Sequence, residues 1–285
     1  MRKNSSSAEI RLWIGFLTVA FMLVSRSVWA APAPFKLILG YAALNARISP
    51  LWLADEQGYL AKYGLQVEQV YLRGAPTLVA GLASGDIQLG RSGGSATLAA
   101  IGAGHDFKIV ATFSSRNTYD FIARPNIKRA EELRGKKIGL TSIGGTTWMG
   151  VLLWLEHFGL DPQRDNILLQ VLGDQNIQAQ AVEAGIADAA ALDGVWSKKL
   201  KQKGFTILGE YSDLNQRIVG QAMVVPHVKG VDRKPFPSLD GLRNVQRMLK
   251  MRTPKIGEIK AEEVIDSLIM RKLDRTFAAE GASFR

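Results

Sequence analysis

The chain has 285 residues with a formal net charge of +10, 28 glycines and no cysteine. The lack of cysteine excludes disulfides, thiolate metal sites, cysteine nucleophiles and a lipid-bearing cysteine. The basic residues are scattered and are not interleaved with aromatic residues, which favours a basic solvated surface over a nucleic-acid interface.

Residues 1–30 have the layout of a secretory signal peptide. A basic start precedes the apolar run Leu12–Val24, and the small residues that end in Val28-Trp29-Ala30 predict cleavage after Ala30. The alternative is an uncleaved membrane anchor, but a run of about 13 residues is shorter than the roughly 20 that span a bilayer. The segment carries a net charge of +3, which leaves +7 for the mature chain. Export without a lipid anchor predicts the periplasm of a Gram-negative bacterium.

Short strands alternate with helices through the mature chain. The first half predicts strands at Phe35–Tyr41, Leu65–Leu72, Asp86–Leu89 and Phe107–Phe113, with helices at Pro50–Tyr59, Thr77–Ala83 and Ala96–Ala103. The second half predicts strands at Lys137–Leu140, Ile167–Leu172, Ala189–Leu192 and Thr206–Leu208, and a strand at Gly220–Val225 that returns to the first half. This alternation predicts an α/β fold of mainly parallel sheets flanked by helices, in which ligands bind beyond the carboxyl ends of the strands.

The stretch from Arg134 to Leu160 predicts a strand, a polar glycine loop and a helix that begins near Thr147. The loop combines hydroxyl groups with the unpaired N–H groups of a helix N-terminus, which suits an anionic or strongly polar ligand. It lacks the spacing of a nucleotide-hydrolase phosphate loop or a dinucleotide fingerprint. The alternative is an ordinary capped turn.

The chain repeats one pattern in its two halves. Leu82–Ile87 closes a helix on glycine and opens a strand, and Glu183–Ala189 does the same about one hundred residues later. The repeat predicts two lobes, with residues 31–123 and 220–285 in lobe 1 and residues 124–219 in lobe 2.

Several segments together resemble a known family. They are Pro50-Leu51-Trp52-Leu53-Ala54-Asp55-Glu56-Gln57-Gly58-Tyr59, Tyr63-Gly64-Leu65-Gln66-Val67-Glu68, Ala83-Ser84-Gly85-Asp86-Ile87, Glu132-Leu133-Arg134-Gly135-Lys136-Lys137-Ile138-Gly139 and Pro237-Ser238-Leu239-Asp240-Gly241-Leu242-Arg243-Asn244-Val245. The chain resembles, over nearly all of its mature length, the periplasmic solute-binding proteins for nitrate, sulfonates, taurine and thiamine precursors that serve ABC importers. The resemblance implies a two-lobed, periplasmic-binding-protein-like fold of type II that closes about crossover strands Phe121–Arg124 and Gly220–Val225.

One departure from the family concerns the C-terminal region. Members carry several tens of helical residues between the returning strand and the Pro-Ser-Leu-Asp-Gly segment, whereas only Pro226–Phe236 stand there in this chain. Either an internal deletion has removed helices that pack on lobe 1, or the chain belongs to a compact subfamily.

The resemblance also implies a ligand site built from loops of both lobes. The residues at these positions are Tyr41 and Asn45, then Arg91, Ser92, Gly93 and Gly94, then Ser114 and Asn117, and in the opposite lobe Ser142, Gly145, Thr146, Thr147, Gln175, Asp193 and Trp196. Three of them have other interpretations: Arg91 as a surface arginine, Trp196 as core packing and Asp193 as a helix cap.

A catalytic alternative comes from Gly90-Arg91-Ser92-Gly93-Gly94, which matches the Gly-x-Ser-x-Gly elbow of serine hydrolases. The triad would need an acid and then a histidine. Asp193 followed by His227 keeps this order, although nothing in the sequence marks the two as close together. A thiamine-pyrimidine synthase would need a cysteine motif and metal ligands, and the chain has no metal-ligand spacing.

The sequence therefore predicts a non-catalytic, exported solute-binding protein without a cofactor or metal. Its expected partners are a small polar or anionic ligand, such as a sulfonate, nitrate or a pyrimidine, and an inner-membrane ABC permease with its ATPase. A monomer that does not bind nucleic acid is expected. A ligand-sensing role, in which the closed form docks on a membrane receptor, stays open.

Overall fold

The computed structural model describes residues 33–226 and seven positions beyond them, namely Arg243, Gln246, Arg247, Lys250, Glu258, Ile259 and Val264. The predicted signal peptide, His227 and the shortened segment at Pro226–Phe236, apart from Pro226 itself, lie outside the described residues. None of the helices described is both long and apolar enough to cross a membrane.

Residues 33–226 form ten β-strands and seven α-helices. The strands are β1 Phe35–Tyr41, β2 Leu65–Tyr71, β3 Leu89–Ser92, β4 Phe107–Arg116, β5 Tyr119–Ala123, β6 Lys137–Leu140, β7 Leu168–Val171, β8 Ala189–Asp193, β9 Thr206–Gly209 and β10 Arg217–Pro226. The helices are α1 Ser49–Glu56, α2 Tyr59–Lys62, α3 Ala75–Ser84, α4 Gly94–Gly102, α5 Thr146–His157, α6 Gln175–Glu183 and α7 Gly194–Gln202. Short 3₁₀ helices lie at Ala46–Ile48, Ala130–Leu133 and Tyr211–Asp213.

The strands form two five-stranded sheets of matching topology. The first has the order β2-β1-β3-β10-β4 and the second β7-β6-β8-β5-β9. We call the first sheet with α1–α4 lobe 1, and the second with α5–α7 lobe 2. The two-lobed α/β fold predicted from the sequence is thus confirmed.

The prediction of mainly parallel sheets needs correction, because both sheets are mixed. β1 pairs with β3, and β6 with β7 and β8, in parallel. In contrast, β10 is antiparallel to β3 and β4, and β5 is antiparallel to β8 and β9. The antiparallel strands are the two crossover strands: β5 enters the second sheet directly after β4, and β10 returns to the first sheet after β9. Residues 119–123, assigned to lobe 1 from the sequence, therefore pair within the sheet of lobe 2.

Two predicted boundaries move because of glycine turns. Gly85 has φ 86°, and Ile87 N donates to Gly81 O (3.0 Å), so the turn after α3 extends further than the apolar pattern suggests. β3 therefore begins at Leu89, not Asp86, and includes Ser92. Gly58, with φ 69°, divides the predicted helix at Pro50–Tyr59 into α1 and α2.

The core of lobe 2 is centred on Trp154 of α5, which is 0% exposed. Its indole Nε1 donates to Tyr119 O (2.8 Å), and its ring stacks on Phe158 with centroids 5.4 Å apart. Gly209 at the end of β9 lies so close that a Cβ there would overlap the indole ring. The absence of a side chain at this position therefore lets α5 pack directly on the sheet.

We expect Gly209→Ala to destabilise the protein by about 1–3 kcal/mol, because the buried indole cannot move away without disturbing its packing. Gly194→Ala is the matched control, since no heavy atom lies within 4 Å of a Cβ there. Urea unfolding of both variants measures the difference, and equal midpoints would contradict the packing argument.

Asp165 is the centre of a polar cluster that holds the loop before β7. Its carboxylate accepts from Arg164 Nη2 (2.7 Å), Asp161 N (2.7 Å) and Arg134 Nε (3.1 Å). The hydrogen bond from Arg164, followed by that from the Asp161 N–H, holds the pKa of this carboxyl well below its usual range. The folded state therefore stabilises the ionised form of the Asp165 carboxyl.

A carboxyl whose pKa is lower in the folded than in the unfolded state stabilises the fold above its unfolded pKa, and this contribution is lost as the pH falls. We therefore expect Asp165→Asn to lower the melting temperature at neutral pH, with a difference that narrows below about pH 4, near the pKa of an unfolded aspartate. Glu131→Gln, at an exposed position, serves as the control. Melting curves that stay a constant distance apart from pH 7 to pH 3 would rule out this role.

Candidate functional site

Loops from both lobes surround a small cavity, which we call the interlobe cavity. Its lining residues are Ala42, Ala43, Ala75, Arg91, Ser92, Gly93, Tyr119, Thr141, Ser142, Gly145, Thr146, Thr147 and Gln221. The cavity volume is ≈ 20 Å³, which is room for about one water molecule. The lobes therefore lie close together at this point.

Three hydrogen bonds join lobe 1 to the glycine loop and the first residue of α5 beside the cavity. Ser95 Oγ donates to Gly144 O (2.8 Å), Ala75 N donates to Ser142 Oγ (3.3 Å), and Gln221 Nε2 donates to Thr146 Oγ1 (3.0 Å). Ser95 and Ala75 belong to helices of lobe 1, whereas their acceptors lie in the loop between β6 and α5 of lobe 2. The arrangement is that of a closed cleft.

A further contact between the lobes involves Asp174. Its carboxylate accepts from Tyr71 OH (2.6 Å) and from Leu44 N (3.3 Å), both in lobe 1. Burial, together with this carboxylate, raises the pKa of Tyr71. Asp174 is the N-cap residue of α6, yet its side chain makes no hydrogen bond to that helix. The carboxylate is thus directed across the cleft.

Arg91, at the end of β3, carries a buried positive charge on the cavity wall. Its side chain is 5% exposed, and Nη2 donates to Arg47 O (2.6 Å). Burial, together with the nearby Arg47 charge, lowers the pKa of Arg91 to about 10. Among the described residues no carboxylate lies within ion-pair distance of Arg91. The cation is therefore desolvated without a counter-ion from the part of the chain that the structure describes.

Arg47 adds a second cation beside the cavity. Its Nη1 donates to Thr118 Oγ1 (2.6 Å) and its Nη2 to Tyr119 OH, with the guanidinium 4.1 Å from the centre of the Tyr119 ring. Its Nε is buried and has no hydrogen-bond partner. No ion pair of Arg47 occurs among the described residues either. Two guanidinium groups thus make this part of the cleft strongly electropositive.

The glycine loop predicted from Arg134–Leu160 is found as β6, a turn and α5. The turn uses Gly144 with φ 78°, and Gly145 is the N-cap of α5, where no side chain supplies a capping bond. Thr147 Oγ1 accepts from Thr141 N (2.9 Å), which folds the loop onto the first turn of the helix. This end of α5 forms the lobe 2 wall of the cavity.

The cavity wall contains seven of the residues selected from the sequence: Arg91, Ser92, Gly93, Ser142, Gly145, Thr146 and Thr147. The other eight do not line it: Tyr41, Asn45, Gly94, Ser114, Asn117, Gln175, Asp193 and Trp196.

Each of these eight residues has a structural contact or position away from the cavity wall. Asp193 caps α7 by accepting from Val195 N and Trp196 N, as one interpretation of the sequence holds. Asn45 accepts from Arg47 N (3.1 Å), and Asn117 Nδ2 donates to Tyr119 O (3.0 Å). The remaining roles are as follows. Tyr41 packs against Trp52 and Tyr71, Gly94 begins α4, Ser114 bonds Arg116 O, Gln175 accepts from Asp193 N, and Trp196 packs on the core of lobe 2.

Sequence reasoning missed Arg47, Tyr119, Thr141 and Gln221. Gln221 is a polar residue inside the apolar crossover strand β10, and this pattern was a usable signal. Tyr119 begins the other crossover strand. Nothing in the local sequence marks Arg47, because its partners lie 71 and 72 residues away.

Ser92 lacks the surroundings of a hydrolase nucleophile. It ends strand β3, and the one non-glycine residue with positive φ in the described chain is Asn166, so the strained elbow is absent there. Its Oγ is buried without a hydrogen-bond partner. Of the described histidines, His105 stacks on Phe107, His157 makes an edge-to-face contact with Trp154, and neither lines the cavity.

The described residues contain no group of three or more histidine, aspartate or glutamate side chains arranged to hold a metal ion.

Comparison with known proteins identifies the family of the chain. Several solved structures have the same fold. The alkanesulfonate-binding protein SsuA from Xanthomonas axonopodis pv. citri, bound to MOPS, is 21% identical with a TM-score of 0.57, covering 90% of this chain and 96% of that one. The periplasmic nitrate-binding protein NrtA from Synechocystis PCC 6803 is 19% identical with a TM-score of 0.58, covering 82% and 70%. PhnD1 from Prochlorococcus marinus, in complex with methylphosphonate, is 14% identical with a TM-score of 0.52, covering 85% and 98%.

No curated protein matches the chain. The model of the family described as NMT1/THI5 like matches residues 45–208, which include α1, crossover strand β5 and all residues of the cavity wall except Ala42, Ala43 and Gln221. Since this match covers more than half of the chain, the protein belongs to the NMT1/THI5-like family.

Proposed function

We propose that the protein is a periplasmic solute-binding protein that captures a small anionic ligand between its lobes and delivers it to an inner-membrane ABC permease with its ATPase. The observation that carries the proposal is the buried guanidinium of Arg91, which lines the interlobe cavity without a counter-ion among the described residues. A buried, unpaired charge is costly unless a bound group of opposite sign neutralises it. The solved structures of similar fold include proteins named for binding alkanesulfonates and nitrate, which supports this choice.

The mechanism is a shift in population between open and closed forms. An anion that contacts Arg91 on lobe 1 and the α5 N-terminus on lobe 2 bridges the cleft, so it favours a closed, liganded form over the open form. In that form the lobes stand further apart than in the arrangement described, whose cavity holds about one water molecule. Its differential affinity sets how far the equilibrium moves. The closed form is then the one that the permease recognises. A sensor would use the same closure, so the distinction depends on the membrane partner.

The ligand-binding residues in this proposal are the seven predicted residues on the wall together with Tyr119, Thr141 and Gln221. Of the eight predicted residues off the wall, Asn117 supports the lining residue Tyr119 through its hydrogen bond to the backbone oxygen, whereas Gln175 accepts from Asp193 N away from the wall. We propose that they shape the site and do not touch the ligand.

The first test replaces the buried cation. We expect Arg91→Met to reduce affinity for the anion by about ten- to a hundredfold, the range for losing a charged hydrogen bond. The ligand is found first by a thermal-shift screen of the mature chain from Ala31 against alkyl sulfonates, nitrate, bicarbonate, pyrimidines and aromatic carboxylates. A ligand raises the melting temperature because it binds only the folded state.

The control for this test is Arg129→Met, which removes the same charge from an arginine whose side chain is 74% exposed. Calorimetry compares the three proteins. Unchanged affinity in Arg91→Met would exclude the cavity as the anion site. A fluorophosphonate probe tests the hydrolase alternative, and stoichiometric labelling of Ser92 would replace the transport proposal.

The second test concerns the lobe 2 wall. We expect the double substitution Thr146→Ala with Thr147→Ala to weaken binding by about 1 kcal/mol or more, on the order of tenfold, because two hydroxyl groups are lost from the site. Unchanged affinity for the screened ligand would remove this loop from the binding site.

A further inference from the structure

The hydroxyl groups that line the interlobe cavity have one property in common: none of them donates a hydrogen bond within the described residues. Six lining residues carry a hydroxyl: Ser92, Tyr119, Thr141, Ser142, Thr146 and Thr147. Five of these oxygens accept a hydrogen bond from a protein donor. The donors are Arg47 Nη2 to Tyr119, Gln178 Nε2 to Thr141 (3.0 Å), Ala75 N to Ser142 (3.3 Å), Gln221 Nε2 to Thr146 (3.0 Å) and Thr141 N to Thr147 (2.9 Å).

None of the six hydroxyls donates a hydrogen bond to any atom of the described residues. A hydroxyl has one proton and two lone pairs. With a lone pair engaged by a protein donor, the proton is directed away from that donor. Because these side chains line the cavity, their protons are available to a molecule inside it. Ser92 Oγ, which is buried and has no partner, adds a sixth free proton.

The charged lining residue, Arg91, is also a donor alone. No carboxylate and no histidine stands among the lining residues. The one lining side chain with an oxygen that can only accept is Gln221, whose Nε2 is bonded to Thr146. The described wall thus offers charged and hydroxyl donors, whereas its side-chain acceptors are all uncharged: the amide oxygen of Gln221 and the lone pairs that the hydroxyls leave unused.

We infer that the site selects ligands whose head group accepts hydrogen bonds and has no proton to donate. This inference rests on the proposed function and adds a rule of specificity to it: an oxyanion that is fully deprotonated binds, whereas one that keeps an O–H or N–H at the head group is rejected. A donor on the ligand would find no carboxylate or histidine on the described wall, so it would have to pair with the uncharged oxygens of hydroxyls whose protons serve the anion. Polar sites of this kind discriminate strongly, because the wrong ligand leaves buried groups without partners.

The test compares two ions of the same charge and shape. At about pH 8, above the second ionisation of phosphate, sulfate and hydrogen phosphate are both tetrahedral dianions that differ by one proton. We expect sulfate to bind about ten- to a hundredfold more tightly, the range for one unsatisfied buried group. Methanesulfonate and methylphosphonate form a second pair with an apolar substituent, measured at about pH 5, below the second ionisation of the phosphonate, so that it keeps one O–H. Calorimetry on the mature wild-type protein measures all four.

A variant changes the polarity of the wall directly. Gln221→Glu replaces the amide that donates to Thr146 by a carboxylate, so the Thr146 proton turns towards it and the wall gains an acceptor. We expect sulfate to bind more weakly and the ratio of sulfate to hydrogen phosphate affinity to fall at least about tenfold. Gln202→Glu, at an exposed position on α7, adds the same charge away from the cavity and should leave the ratio unchanged. Circular dichroism and thermal melts establish that each variant is folded.

The possible outcomes separate this inference from the proposed function. Equal affinities within both pairs, or tighter binding of the protonated member, would overturn the rule while an anion-binding function stands. A screened ligand that carries a donor on its head group, with no response to sulfate or methanesulfonate, would overturn it too. If no anion in the screen binds, the proposed function fails and the inference fails with it.

Discussion

The buried charge of Arg91, which has no counter-ion among the described residues, is the main electrostatic constraint on the closed cleft. Removing a guanidinium from water costs several kcal/mol even after the protein has relaxed around it. The lowered pKa of Arg91 and the second cation at Arg47 show that this cost is present in the arrangement described. A chain that folded around this pair for stability alone would gain from a carboxylate on the wall. In the function proposed above, an anionic ligand supplies the missing counter-charge, so the feature that opposes closure without a ligand favours it with one.

The matching topology of the two sheets explains why a site forms at this place. The loops that follow β1 and β3 in lobe 1, and those that follow β6 and β8 in lobe 2, lie at the carboxyl edge of parallel strands, where polar groups converge. The crossover strands join the lobes so that these two edges face each other. Tyr119 and Gln221 stand on β5 and β10, so the segments that connect the lobes also contribute side chains to the cavity. In the proposed function, ligand binding and movement of the lobes therefore involve the same residues.

Local signals in the sequence accounted for much of this architecture. The apolar run at Lys137–Leu140 and the helical spacing after Thr147 predicted β6 and α5 closely, because burial on one face leaves a periodic pattern. Contacts between lobes leave no such pattern. Arg47 could not be identified, since its role depends on Tyr119, which the fold alone brings to it. The mixed character of the sheets was hidden for the same reason: strand direction is decided by which sheet a crossover strand joins.

The position of β10 has a consequence for the order in which the molecule is assembled. In the first sheet β10 lies between β3 and β4, although it follows the whole of lobe 2 in the chain. All strands of the second sheet lie within residues 119–209, so lobe 2 can complete its sheet as soon as that segment has emerged during synthesis or export. In lobe 1 the facing edges of β3 and β4 stay unpaired until residues 217–226 have been synthesised. Exposed strand edges are templates for aggregation. Lobe 1, which begins first in the chain but completes its sheet last, is therefore the lobe in greater need of a chaperone.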